Sequence, residues 1–179
     1  MPGVHRVAAL VLALAMTGCL LPQDDHLLPE FPKKKNGPPR IIDVDPQRFY
    51  TVRLGAGCPT TATFKAQVDD PDISDPIRVR CFVDPGNNES APFTEGNIVP
   101  AANATTRPDK ATCSLPLSIG KDLGQLGQHF VEILVADGEL EGRKTRPREE
   151  ALPDGGSVPN PAYTDSFTWV VQATNESCQ

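Results

Sequence analysis

From about residue 40 onward the chain alternates apolar and polar residues with a period of two, and this restricts its fold more than any other feature. Successive side chains of a strand point to opposite faces, so a period of two marks a strand with one face buried. Seven runs carry it, at 41–45, 49–54, 61–69, 77–83, 111–119, 129–136 and 166–172. In the first, Ile42 and Val44 oppose Asp43 and Asp45. In the third, Ala62, Phe64, Ala66 and Val68 oppose Thr63, Lys65 and Gln67, and in the fourth Ile77, Val79, Cys81 and Val83 oppose Arg78 and Arg80. No stretch carries a convincing helical period, and turn formers such as Asp84-Pro85-Gly86 and Asp137-Gly138 separate the runs. The expected fold class is all-β, an antiparallel sandwich of about seven strands.

The segment ahead of this region has the composition of an export signal. His5 and Arg6 give a positive start, and residues 7–16 run apolar without a charge. Such a run is about half the roughly 20 residues that a spanning helix requires. Met16-Thr17-Gly18-Cys19 then resembles the lipobox of bacterial lipoproteins: a bulky residue, a small one, Gly, and an obligatory Cys. The resemblance implies cleavage before Cys19 and a diacylglyceryl thioether on its sulfur. Acyl chains contribute about 0.8 kcal/mol per buried CH₂, so several of them hold a protein stably to a membrane. Apart from the box, an ordinary secretory signal or an uncleaved anchor would read the same way. Leu20, where an Asp would retain the protein in the inner membrane, implies the outer membrane if the cell has two. The expected organisation is a signal peptide over 1–18, a lipidated Cys19 with a Pro-rich tether over 19–39, and a single domain over 40–179. At about 3.1 Å per residue in polyproline II, such a tether spans up to roughly 60 Å.

Cleavage before Cys19 leaves 161 residues, enough for one domain and its tether. It removes one base, Arg6, and no acid, taking the net charge from −6 to −7. An acidic chain without a basic stripe is a poor nucleic-acid ligand, so no nucleic-acid partner is expected. Nineteen prolines point to a loop-rich domain with a modest core, of the kind that often needs covalent help. Apart from Cys19, four cysteines remain: Cys58, Cys81, Cys113 and Cys178. An even number in an exported chain reads as two disulfides, in one of three pairings. Metal ligation fits less well, because there is no C-x-x-C pair and His129 is the only histidine beyond the tether.

Val68-Asp69-Asp70-Pro71-Asp72 ahead of the fourth run resembles the B–C corner of cadherin-like and PKD-like immunoglobulin-like domains. Gly127-Gln128-His129, followed by Val131, Ile133, Val135, Asp137 and Gly138, resembles their F strand, with His129 where those domains usually carry a corner tyrosine. The resemblance spans about residues 40–173 and implies an immunoglobulin-like sandwich with strands A, A′, B, C, E, F and G in the order of the seven runs, and long C–E and F–G loops. In that topology Cys81 and Cys113 lie on the inward faces of C and E, while Cys58 before B and Cys178 after G share one end. It therefore implies the pairs Cys81–Cys113 and Cys58–Cys178.

Catalytic constellations are not found in the sequence. A nucleophilic triad needs a histidine positioned by other groups, and the alternation puts His129 on the core face as a structural residue. There is no Gly-rich phosphate loop and no H-E-x-x-H, so neither enzyme activity nor a cofactor is expected. One acidic set carries a weak metal expectation. Asp69, Asp70, Asp72 and Asp75 in the B–C loop, with Asp137, Glu139 and Glu141 in F–G, fall at one end of the sandwich, where Ca²⁺ could find its six to eight oxygens. The plainer reading is that aspartates beside prolines cap loop amides. Residues 84–110, with a short strand expected around Ile98-Val99, and residues 138–165 are long enough to serve as contact surfaces. The expectation is a membrane-anchored, non-catalytic binding or structural module that engages an envelope protein or polymer. Carbohydrate binding by a sheet face is the alternative, and an accessory subunit of an envelope enzyme or secretion complex a weaker one. Carbohydrate binding would need exposed aromatics, for which Phe82 is the obvious strand candidate.

Overall fold

The alternating segments form strands that assemble into two larger sheets and two hairpins. A computed structural model describes residues 36–86, 94–117, 122–151 and 155–178. Residues 1–35, which include the expected signal, Cys19 and most of the expected tether, lie outside the described residues. The strands are β1 (Arg40–Asp45), β2 (Phe49–Arg53), β3 (Thr61–Asp69), β4 (Arg78–Val83), β5 (Thr94–Glu95), β6 (Ala111–Pro116), β7 (Gly127–Ala136), β8 (Leu140–Glu141), β9 (Lys144–Thr145), β10 (Arg148–Ala151), β11 (Ser157–Asn160) and β12 (Thr164–Thr174). A 3₁₀ turn, Asp122–Gly124, precedes β7, and no α-helix occurs among the described residues. The fold is all-β.

One sheet has the order β1-β3-β6 and the other β2-β12-β7-β4-β5. They bury their apolar faces against each other, consistent with a β-sandwich. Phe64, Ala66, Val68, Cys113 and Leu115 from the first sheet meet Val79, Cys81, Val131, Ile133, Val135, Trp169 and Val171 from the second. Trp169 sits at the centre, fully buried, with its ring 5.1 Å from Phe64 and 4.9 Å from Phe167. Its indole N–H would be costly to bury unpaired, and it donates to the carbonyl of Pro46 at 2.8 Å.

Four features depart from the sequence reading. The sandwich is not wholly antiparallel. The chain passes from β1 in one sheet to β2 in the other through a cis Asp45–Pro46 bond, and β2 then runs parallel to β12. In β1 the alternation is interrupted by a bulge between Ile41 and Asp43. One extra residue reverses the facing, so Ile41 and Val44 pack on the core while Ile42 is turned outward. The packed unit begins before Arg40: Asn36 is buried and donates to Asp137 Oδ2 and to the carbonyl of Pro161, each at 2.9 Å. Finally, the long excursions are partly ordered. Val99 bridges Ile77, but the strand of the 84–110 segment is β5 rather than Ile98-Val99, and the 138–165 segment contains the hairpins β8–β9 and β10–β11.

The four cysteines form two disulfides. Cys81–Cys113 ties β4 to β6 across the core, with both residues inaccessible to solvent. Cys58–Cys178 clasps the segment ahead of β3 to the segment after β12. Backbone bonds from Gly55 N to Glu176 O and from Cys178 N to Ala56 O flank that clasp. A Cβ on Gly55 would lie 2.4 Å from Glu176 O, so only glycine allows this approach.

Candidate functional site

The acidic residues singled out in the sequence do gather toward one end, but each is committed to a partner. Asp70, at the end of β3, is fully buried and accepts a bond from Arg107 Nη2 at 2.7 Å and one from the Asp72 N–H at 2.9 Å. Arg107 is itself buried and also donates to the carbonyls of Asp72 and Ile73, so its guanidinium fills the space beneath the β3–β4 loop. Asp69 accepts from the Thr106 hydroxyl, Asp72 from the Gly37 N–H, and Asp75 pairs with Arg148 at 3.0 Å. Asp137 is buried and accepts from Tyr163 N–H at 2.7 Å and from the Asn36 amide. Glu139 pairs with Arg78 and Glu141 with Arg146.

Among the described residues, no three His, Cys, Asp or Glu side chains are placed to hold a metal ion. In this structure the carboxylates of the expected calcium set, Asp69, Asp70, Asp72, Asp75, Asp137 and Glu139, are bonded to arginines, amides and the Thr106 hydroxyl. Burial pushes the Asp70 carboxyl above its ordinary range, against the downward pull of the Asp72 N–H and Arg107. Burial does the same to Asp137, against Tyr163 N–H and Asn36. These groups are joints that hold the loops to the sheets.

His129, expected on the core face, is nearly buried. Its Nε2–H donates to the Gln125 carbonyl at 3.0 Å, and Nδ1 lies 2.6 Å from Asp84 Oδ2. Asp84 also accepts the Phe130 N–H, and its own N–H bonds back to the Phe130 carbonyl. The imidazole secures the turn after β4.

The outer face of the five-stranded sheet is divided in two. Over one half lies the β8–β9 hairpin. Arg143, in its turn, pairs with the buried Glu132 at 2.6 Å and stacks 5.1 Å over the Phe82 ring, while Arg80 donates to the carbonyl of Gly142. Phe82 is consequently buried, which corrects its expected role as an exposed aromatic. The sequence carries a signal for this: residues 131–136 read Val-Glu-Ile-Leu-Val-Ala, nearly continuous apolar character, as in a strand covered on both faces.

The other half of that face is open. In register across β2, β12 and β7 lie Phe49, Val170 and Phe130, with Phe49 75% and Phe130 46% exposed. The next outward row is Thr51, Gln172 and Gln128, all exposed. The sequence reading missed this patch because Phe49 and Phe130 are 81 positions apart and become neighbours only through β12. Comparison with protein-family models, with curated proteins and with solved structures returns no match.

Proposed function

We propose that this chain is an exported, lipid-anchored protein of the bacterial cell envelope whose immunoglobulin-like β-sandwich is a non-catalytic binding module. The observation that carries the reading is the pair of disulfides, Cys58–Cys178 and Cys81–Cys113, on a chain that opens with an export-type segment ending in Met16-Thr17-Gly18-Cys19. Disulfides persist in oxidising compartments, and this pairing leaves Cys19 as the one cysteine for a thioether. The sheet orders β1-β3-β6 and β2-β12-β7-β4-β5 favour the immunoglobulin-like assignment. They correspond to A-B-E facing A′-G-F-C-C′, with the first strand divided between the sheets. The commitment of His129 and the acidic loop residues to structural bonds favours binding over catalysis. In a cell with two membranes, Leu20 favours an anchor in the outer one.

The test is fractionation together with mass spectrometry of the mature N-terminus. A diacylglyceryl-modified Cys19 terminus, with release of a Cys19→Ser form into the soluble fraction, supports the proposal. An unmodified terminus, or a Cys19→Ser form that still sediments with membranes, overturns the anchor. Carbohydrate binding is the second reading, and the exposed Phe49 and Phe130 favour it.

A further inference from the structure

We infer that the open half of the outer sheet face is a platform for an extended, uncharged β-1,4-linked oligosaccharide lying across β2, β12 and β7. The inference rests on the binding-module reading and names its ligand class, independently of the lipid anchor. Neighbouring strands lie about 4.8 Å apart, so Phe49 and Phe130, separated by one strand, sit about 9.5 Å apart across the sheet. That spacing is close to the length of one disaccharide in an extended β-1,4-linked chain. Each ring would then meet an equivalent sugar, with Val170 beneath the sugar between them.

The surroundings suit a neutral sugar better than a charged polymer. Thr51, Gln172 and Gln128 run beside the rings as a parallel line of hydroxyl and amide groups, which can donate to and accept from sugar hydroxyls. Two nearby charges are engaged in ion pairs, Arg53 with Glu176 at 3.3 Å and Asp84 with His129. On the far side the next row holds Thr168 and Glu132, the latter paired with Arg143 of the covering hairpin. The exposed parts of the two rings amount to about 250 Å², taking roughly 200 Å² for a phenylalanine. The apolar strip is therefore narrow, which suits a slender chain.

The test uses the purified full-length chain in detergent, titrated calorimetrically with a β-1,4-linked N-acetylglucosamine hexasaccharide and, for comparison, an α-1,4-linked glucose hexasaccharide. Binding of the first and not the second is expected. Phe49→Ala and Phe130→Ala should each weaken it roughly tenfold, and the double variant should abolish it. The variants should remain folded, with the melt of Phe49→Ala close to the parent's and that of the half-buried Phe130→Ala lowered by a few degrees. No binding at millimolar β-1,4-linked sugar, equal affinity for the α-1,4-linked control, or undiminished binding by the folded double variant would each overturn the inference. Repeating the titration with Cys19→Ser separates the two readings: sugar binding should survive in that form whether or not the anchor proposal holds.

Discussion

Reducing both disulfides should bring this domain to the edge of unfolding, and the two bridges should contribute almost equally for different reasons. Cys81 and Cys113 are 32 positions apart, and closing a loop of that length restrains the unfolded chain by about 3.7 kcal/mol. Cys58 and Cys178 are 120 apart and enclose the smaller loop. With the inner bridge intact, the outer ring runs through about 90 residues and restrains the unfolded chain by about 4.6 kcal/mol. Cys81 and Cys113 are inaccessible to solvent, so replacing both with alanine also leaves a small cavity, adding about 1 kcal/mol. The half-exposed Cys58–Cys178 pair replaced with serine incurs little of that. Each double variant should therefore lose about 4–5 kcal/mol, and full reduction about 8 kcal/mol, against a typical domain stability of about 5–15 kcal/mol. The single tryptophan, Trp169, lies buried between the sheets and reports unfolding directly by its fluorescence. In urea, at an m-value of about 2 kcal/mol/M, loss of either bridge should lower the midpoint by about 2 M. A fully reduced chain whose midpoint stays within about 0.5 M of the oxidised form would refute the reasoning.

Two further outcomes follow from the buried acids. Arg107→Leu leaves the Asp70 carboxyl buried without its cation and should cost about 3–5 kcal/mol, read as a drop in melting temperature; a change under about 1 kcal/mol would show that the pair does not hold the loop. Asp137 is raised by burial, so its folded pKa lies above its ordinary 3.8, and the folded state holds the proton more tightly than the unfolded one. Its contribution to stability is thus most favourable below about 3.8 and declines as pH rises through the folded value. Asp137→Asn removes that dependence while losing an acceptor for Tyr163 or Asn36, so the variant's deficit in urea-unfolding free energy should narrow as pH rises above 3.8. A deficit constant across that window would contradict the sign.

The sequence by itself determined the all-β class and the approximate position of each main strand, because a half-buried strand writes its facing into a period of two. The Thr61–Asp69 strand is the plainest case, with Ala62, Phe64, Ala66 and Val68 all buried. Four cysteines in a chain with an export-type start likewise pointed to two disulfides. What only the tertiary structure decided are contacts between residues remote in sequence, which no local pattern encodes. The Ile41–Asp43 bulge turned Ile42 outward, and the β8–β9 hairpin folded back to bury Phe82 under Arg143. Arg107, from an unpatterned polar stretch, reached Asp70 37 positions away. Phe49 and Phe130 became one surface because β12 lies between their strands: periodicity tells which way a side chain points, whereas strand order tells what stands beside it.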